Sequence, residues 1–512
     1  MTDGHFDNIH HTYDIYVDNP FVYDNHFREA AMQTVDLPQF TAIKDRLPQP
    51  YWANHPREID CYWTAWELAF SNIRNPQAGT GFISPFIDTA FNDCIFMWDS
   101  VFMMLFARYA HHMFNFIGTL DNFYTKQHPD GFICREISYE TGRDKFFRFD
   151  TVSTGPNVLA WAEWIYYQQF GDRQRLEQVF PPLVAYHQWL REYRTWRDGS
   201  YWTSGLGSGM DNQPRVPGGR REQIHSHGHQ TWVDINMQQI LSASLLLDMA
   251  DVLKRRQDVR DLEGEIAYLR RYINKLMWDD YSAFYYDLTR DGTWTQTKTI
   301  GAYWALLADI VPPNRLPRFV DHLRSTERFN RPHRVPSLSA DHPQYRADGE
   351  YWLGGVWSPT NYMVLRGLTH VGEYDLAHEI ACNHLQNVVD VYAETGTLWE
   401  NYAPETSAKG NPAKPDFVGW TGLAPIAVLL EYVFGLQPYV PQNKLVWDVR
   451  QLDEHGVRQY PFGTVGTLDL QCAARTDPEE KPSISVRSPI ALTLELHWAG
   501  GVETIDIQPT DA

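Results

Sequence analysis

Two acidic residues in this sequence stand in surroundings suited to acid–base chemistry. Asp211 lies in "GSGMDNQPR", behind a glycine-rich turn and flanked by Trp202 and Met210. Glu400 lies in "LWENYAPET", between Trp399 and Asn401–Tyr402. Apolar neighbours desolvate a carboxyl and raise its pKa, which makes it a proton donor near neutral pH. A hydrogen-bonding neighbour such as Asn401 helps an ionised carboxylate hold a water. One protonated and one ionised carboxyl are what glycosidic bond cleavage requires, standing about 6.5–9.5 Å apart when the second activates a water. Asp93, Asp99, Glu136, Asp348, Glu350, Glu394 and Glu405 lie in comparable stretches. Spacing alone does not choose among the nine, and for each a turn Asp or a surface Glu is the plain alternative.

Composition points the same way. The chain has 512 residues, 43% of them hydrophobic, enough for one large core or two domains. Aromatic residues make up 14%, with 19 Trp. Such flat, amphipathic side chains fill a core or line a concave site, and their apolar faces suit sugar rings. The net charge of −20 argues against nucleic acid or an anionic membrane as a partner. Five cysteines (61, 94, 134, 382 and 472) form no CxxC pair, and free thiols in a reducing compartment account for them. The N-terminal "MTDGHFDNIHHTYDIY" is polar and acidic rather than signal-like, and no apolar run is long enough to span a membrane, so a cytoplasmic protein is expected.

Elements that would position the carboxyls follow from periodicity. Residues 1–55 show none and read as an irregular arm packed on the body. Apolar residues at helical spacing then mark twelve segments: 57–75, 96–111, 114–126, 157–170, 176–196, 230–254, 258–276, 298–309, 314–325, 358–370, 373–393 and 418–435. Pro181–Pro182 are expected to split the fifth into two pieces. The sixth is apolar on most sides and should be buried. Short links near 112–113, 172–175, 255–257, 310–313 and 371–372 alternate with long ones near 77–95, 127–156, 197–229, 277–297, 326–357 and 394–417. Six antiparallel hairpins with every long loop at one end predict a mainly α protein, an (α/α)6 barrel over 56–437 with a loop-built pocket. From 438 to 512 the period changes to two, in "KLVWDV", "TLDLQCAA" and "ALTLELHW", which predicts a small antiparallel, sandwich-like β domain.

The motifs on those long loops carry a family resemblance. "MWDSVFM" (97–103), "GSGMDNQPR" (207–215), "GVWSPTNYMV" (355–364), "LWENYAPET" (398–406) and "GWTGLAPI" (419–426) occur in the order seen in glycoside hydrolase family 63 and trehalase-like six-hairpin enzymes. The chain resembles that group over roughly residues 80–435. Carried over residue by residue, the resemblance implies an inverting exo-glycosidase for a small α-linked glycoside, with Asp211 as general acid and Glu400 as general base. It further implies sugar contacts from Trp98 and Asp99. Arg135, Glu136, Trp202, Asn212, Arg215, Trp357, Asn361, Tyr402 and Trp420 complete the expected substrate-binding set. For Arg215, and for Arg135–Glu136, an internal ion pair is the equally open alternative.

Departures from the group narrow the substrate. The long trehalase signatures are missing, and "PGGR" at 217–220 leads into "REQIHSH", so trehalose is disfavoured. In size the chain is closer to bacterial members that hydrolyse glucosylglycerate or mannosylglycerate. No cofactor and no metal are expected. His225, His227 and His229 alternate along a loop without a Cys or carboxylate nearby, which favours hydrogen bonding near substrate over metal binding. "SGLGSG" lacks the preceding strand and following GK[ST] of a phosphate loop. Competing functions are a sugar epimerase or glycoside phosphorylase on the same barrel, and a non-catalytic carbohydrate-binding protein. Nothing in the sequence fixes the oligomeric state.

Overall fold

The computed structural model describes residues 17–216, 224–464 and 466–510. Helix α1 spans Pro56–Ser71, α2 Met97–Ala107, α3 Gly118–Thr125, α4 Leu159–Phe170, α5 Arg173–Tyr193 and α6 Val233–Leu253. Then follow α7 Asp261–Tyr272, the short α8 Trp304–Leu307, α9 Leu316–Arg324, α10 Ser358–His370, α11 Tyr374–Thr395 and α12 Ala424–Val433, the last wound as a π-helix. Each falls within or overlaps a segment marked by apolar periodicity.

Local chemistry sets their ends. Gly171, at φ 67°, closes α4, and Asp172 caps α5 by accepting from Arg175 N at 3.0 Å. One expectation fails here: α5 runs unbroken through Pro181 and Pro182. A mid-helix proline costs about 3 kcal/mol locally. The flanking Val179, Phe180 and Leu183 are buried, and this packing on both sides outweighs the two lost hydrogen bonds.

Helices α2, α4, α6, α8, α10 and α12 pack on one another in that order, and α12 returns to α2. α5 and α7 lie against α6, α11 against α10 and α12, and α1 against α11 and α12. The side chains of α6 are buried almost all round, in keeping with its apolar composition. Segments leading into α2, α4, α6, α8, α10 and α12 are the long ones, and those before α2, α4, α6, α10 and α12 line one cavity.

Eight strands form two four-stranded sheets. They are β1 Gln49–Trp52, β2 Leu436–Tyr439, β3 Lys444–Asp448, β4 His455–Pro461, β5 Thr467–Cys472, β6 Ile484–Arg487, β7 Leu492–Trp498 and β8 Gly501–Ile507. The orders are β1-β4-β5-β6, antiparallel throughout, and β8-β7-β3-β2. In the second sheet β3 and β7 run parallel, which corrects an all-antiparallel expectation. The chain crosses to the other sheet between them, and a parallel pair needs such a crossover. β1 comes from the N-terminal arm. Among the described residues no helix is long and apolar enough to cross a membrane.

Candidate active site

A short ladder builds the first wall. Cys94–Phe96 pairs antiparallel with Glu136–Ser138, with Phe96 opposite Glu136, and Met97 N donates to Arg135 O at 2.8 Å. Because α2 starts at Met97, its first turn sets Trp98 and Asp99 beside Arg135 and Glu136. The guanidinium of Arg135 contacts Glu136 Oε1 at 2.5 Å and donates to Val152 O at 2.8 Å.

The second wall answers to glycine. Ser204 caps a single helical turn, Gly205–Ser208, which ends at Gly209 with φ 75°. A Cβ on Gly209 would stand 3.1 Å from the Trp98 indole, and one on Gly205 2.6 Å from Asp211 O. Only glycine permits both the left-handed turn and the close approach. The turn therefore packs Gly209 against the Trp98 ring and leads into Asp211, which shares a cavity with that ring. Asn212 locks the far side, donating to Glu350 O at 3.0 Å and accepting from Trp352 N at 2.8 Å.

Glu400 stands on a third segment of the same lining. Its backbone is tied to Lys414, Glu400 N donating to Lys414 O at 2.9 Å, and Trp420 Nε1 donates to Glu400 O at 2.8 Å. Its carboxylate accepts from Tyr351 Oη at 2.9 Å and from Lys414 N at 3.2 Å. Lys414 Nζ reaches across to Phe91 O at 3.0 Å and to Ala90 O, tying the two loops together. Tyr351 follows Gly349 (φ 87°) and Glu350 (φ 30°) and is itself at φ 67°. Two consecutive non-glycine residues in this region are strained, and the surrounding contacts hold them there. Trp357 Nε1 donates to Tyr351 O at 3.3 Å, and Gly355 N does so at 3.1 Å.

These walls enclose a cavity of about 180 Å³ lined by Asp99, Glu136, Asp211 and Glu400, with Trp98, Tyr351, Trp352, Phe417 and Trp420 as aromatic faces and Arg135 as a cation. Burial pushes Asp211 up to about 6, with Arg135 opposing the rise and Glu136 and Glu400 adding to it. Burial also drives Asp99 well above the usual carboxylate range, and the charges of Glu136 and Glu400 reinforce this. For Glu400 burial raises the pKa, while the Tyr351 hydroxyl and the Lys414 backbone N–H favour the ionised form. The cavity thus holds carboxyls that cannot all ionise together, the condition for dividing acid and base roles.

Of the residues expected at the site, Trp98, Asp99, Arg135, Glu136, Asp211, Glu400 and Trp420 line this cavity, and six do not. Arg215 is 1% exposed, its guanidinium doubly bonded to both Asp234 and Asp287 at 2.5–2.9 Å. Trp357 lies one layer back, stacked on Trp352 at 3.9 Å and 3°. Asn361 is buried and bonds Val335 and Trp357 backbone atoms. Tyr402 is buried, its hydroxyl accepting from Trp399 N at 3.2 Å. Trp202 packs with Trp196, His227 and Arg194. Asn212 braces the loop, as described. Sequence reasoning misses Tyr351, Phe417 and Lys414; "DGEYWLGGVW" and "NPAKPDF" carry no spacing that singles them out.

His227 and His229 join the Trp196–Trp202 cluster rather than the cavity, and Trp232 Nε1 donates to His227 O at 3.0 Å. "PGGR" lies outside the described residues.

Comparison with known proteins places this geometry in a family. An uncharacterized protein of Borreliella burgdorferi is 25% identical over 363 residues, 69% of this chain and 74% of that one. A probable mannosyl-oligosaccharide glucosidase of Schizosaccharomyces pombe is 25% identical over 283 residues, 49% of this chain, which spans 34% of that longer protein. The crystal structure of a GH63 mannosylglycerate hydrolase from Thermus thermophilus in complex with glucose superposes with a TM-score of 0.57 at 23% identity, over 71% of this chain and 99% of that one. Residues 97–421, more than half of the chain and inclusive of Asp99, Glu136, Asp211 and Glu400, match the family model of the mannosylglycerate hydrolase MGH1-like glycoside hydrolase domain, and the chain belongs to that family of glycoside hydrolases.

Proposed function

We propose that the chain is an inverting exo-glycosidase for a small α-linked glycoside, with Asp211 as general acid and Glu400 as general base. The observation that carries this reading is that the two carboxyls line one cavity, one held in its acid form up to about 6 and the other braced by two donors. Asp211 protonates the leaving oxygen while Glu400 takes a proton from the water that attacks C1 from the opposite face. Asp99, kept protonated by burial, donates to a sugar hydroxyl, and Trp98 and Trp420 present ring faces to the sugar.

A cavity below the roughly 300–1,000 Å³ of drug-sized pockets favours a single terminal ring. The family's name and Arg135 in the wall favour a glycoside whose aglycone is a small acid, such as a glycosylglycerate. The circuit of even-numbered helices supports an (α/α)6 barrel over 56–437, with an arm before it and a β domain from 438. Five unpaired cysteines support a reducing compartment such as the cytoplasm.

The test is a panel of α-linked disaccharides and glycosylglycerates with the product anomer followed by NMR. Release of free sugar with inverted configuration is the expected result. Retained configuration removes the water-activating role from Glu400, and turnover that needs added phosphate makes the enzyme a phosphorylase.

A further inference from the structure

The same helices enclose a second cavity at their other end. α10 starts at Ser358, next to Trp357 at the catalytic end, and finishes at His370; α12 follows Trp420 and finishes at Val433. Between those finishing turns and strands β2, β3 and β7 lies a cavity of about 380 Å³. The thirteen residues of α10 put it roughly 20 Å from the catalytic cavity.

Most charges in its wall are matched. Arg450 is bonded to Asp448 at 2.7 Å and to Asp375 at 2.5 Å. Glu495 takes Lys444 at 3.3 Å and His497 at 2.7 Å. Glu431 accepts from Arg108 at 2.5 Å, Tyr362 at 2.7 Å and Tyr109 at 3.0 Å. Arg366 differs: its one ion pair among the described residues is at 3.6 Å, beyond hydrogen-bond reach, with Glu431, an acid already neutralised by Arg108. Tyr432, 6% exposed, lines the same cavity; its enclosed hydroxyl lies beside the side chains of Thr369 and Arg366 and, among the described residues, meets no carboxylate or carbonyl. Buried donors are nearly always satisfied. Here a guanidinium and a hydroxyl stand side by side at one space, and among the described residues neither meets a carboxylate or carbonyl acceptor within hydrogen-bond distance.

We propose that this cavity is a second ligand site, for a small oxyanion, phosphate or carboxylate, held by the Arg366 guanidinium and the Tyr432 hydroxyl. A planar guanidinium fork matches two oxygens of such a group, and the phenol supplies a donor to a third or to a shared one. The wall's carboxylates each have a cation, so an entering anion meets the unspent charge of Arg366. The volume exceeds that of a bare ion and lies in the range of small-molecule pockets, leaving room for an anion carried on a short polyol.

Calorimetric titration of the intact chain with inorganic phosphate and with glycerol phosphate tests this. Both should bind, and tighter binding of glycerol phosphate identifies the ion as one carried on a carbon skeleton, whereas equal affinity identifies the free ion. Arg366→Met should weaken binding roughly tenfold or more and Tyr432→Phe several-fold, while Arg135→Met, in the catalytic cavity, leaves it unchanged. Binding lost with Arg135→Met but kept with Arg366→Met overturns the proposal, as does wild type that binds neither probe at millimolar concentration. Should Arg366→Met fail to fold, Tyr432→Phe, which removes one hydroxyl, decides alone: undiminished affinity rejects the site.

Discussion

The Tyr351 hydroxyl donates to Glu400 Oε1 at 2.9 Å, from a backbone held at φ 67° by the Trp357 indole and Gly355 N. A strained residue thus aims its side chain at the group proposed as base. A hydrogen bond to a charged acceptor contributes about 1.5–3 kcal/mol. Tyr351→Phe should therefore lower kcat by roughly 10- to 100-fold, leave Tm close to wild type, and move the acid limb of the pH–rate profile upward, because the ionised form of Glu400 loses a donor. A kcat loss with no movement of that limb would reduce Tyr351 to a wall of the sugar site.

Loss of the proton donor can be told apart from loss of a binding residue by the leaving group. Asp211→Asn should lower kcat on a natural glycoside by several orders of magnitude, yet retain much of the wild-type rate on a glycosyl fluoride, whose departure needs no protonation. Glu400→Gln should be inactive on both, since water activation is required in either case. Asp99 is the discriminating control. Its carboxyl also favours the protonated form, so Asp99→Asn should preserve the donor to a sugar hydroxyl and lower kcat/KM equally on both substrates. Selective rescue of Asp99→Asn by the fluoride would transfer the acid role to Asp99.

Burial of Asp211 carries a cost to stability with a definite sign. Its carboxyl titrates near 6 in the folded chain against 3.8 for an ordinary Asp, a gap equivalent to about 3 kcal/mol. Below the lower value folded and unfolded chains both hold the proton, and this part of the stability is intact. As pH rises through the higher value the folded carboxylate must ionise in place, and it is lost. Asp211→Asn should then raise Tm at about pH 8 and change it little at about pH 4. The same titration sets the basic limb of the wild-type activity, which should fall as pH passes about 6. A Tm unaltered by the substitution at both pH values would contradict the desolvated setting of Asp211.

How far the sequence discloses this arrangement depends on the range of the interactions involved. The helices announce themselves through apolar spacing, a local signal, and the alternation of long and short links places the loops at one end. Gly209 is legible because a left-handed turn packed against the Trp98 ring leaves no room for a Cβ, and Asp211 beside it is legible through the family resemblance of its motif. Tyr351 is not, since its role arises from a contact with Glu400 forty-nine residues away. The meeting of Asp99 with Glu136 depends on a three-residue ladder too short to read as strands. Trp357 shows the converse limit: a tryptophan beside a site motif looks like a sugar platform, but it stacks behind Trp352, which takes the cavity-facing position. The unbroken course of α5 through its prolines and the parallel pairing of β3 with β7 are hidden for the same reason, because tertiary packing decides both.

Arg215 separates a site motif's structural part from its chemical part. It stands four residues beyond Asp211 in "GMDNQPR", but its guanidinium lies over the Trp232 ring at 4.4 Å and is bonded to Asp234 and Asp287. Asp234 lies in the first turn of α6, and Asp287 Oδ1 also accepts from Val233 N at 2.7 Å. Arg215 therefore pins the Asp211 loop to the start of that helix. Removing it strands two buried carboxylates, for which about 3–5 kcal/mol of lost stability is expected. Arg215→Lys should recover little, because one ammonium cannot replace two bidentate contacts. Arg215→Met should lower Tm sharply while the folded fraction, assayed well below its melting point, keeps KM within a few-fold of wild type. A near-normal Tm with a large rise in KM would instead make Arg215 a substrate ligand.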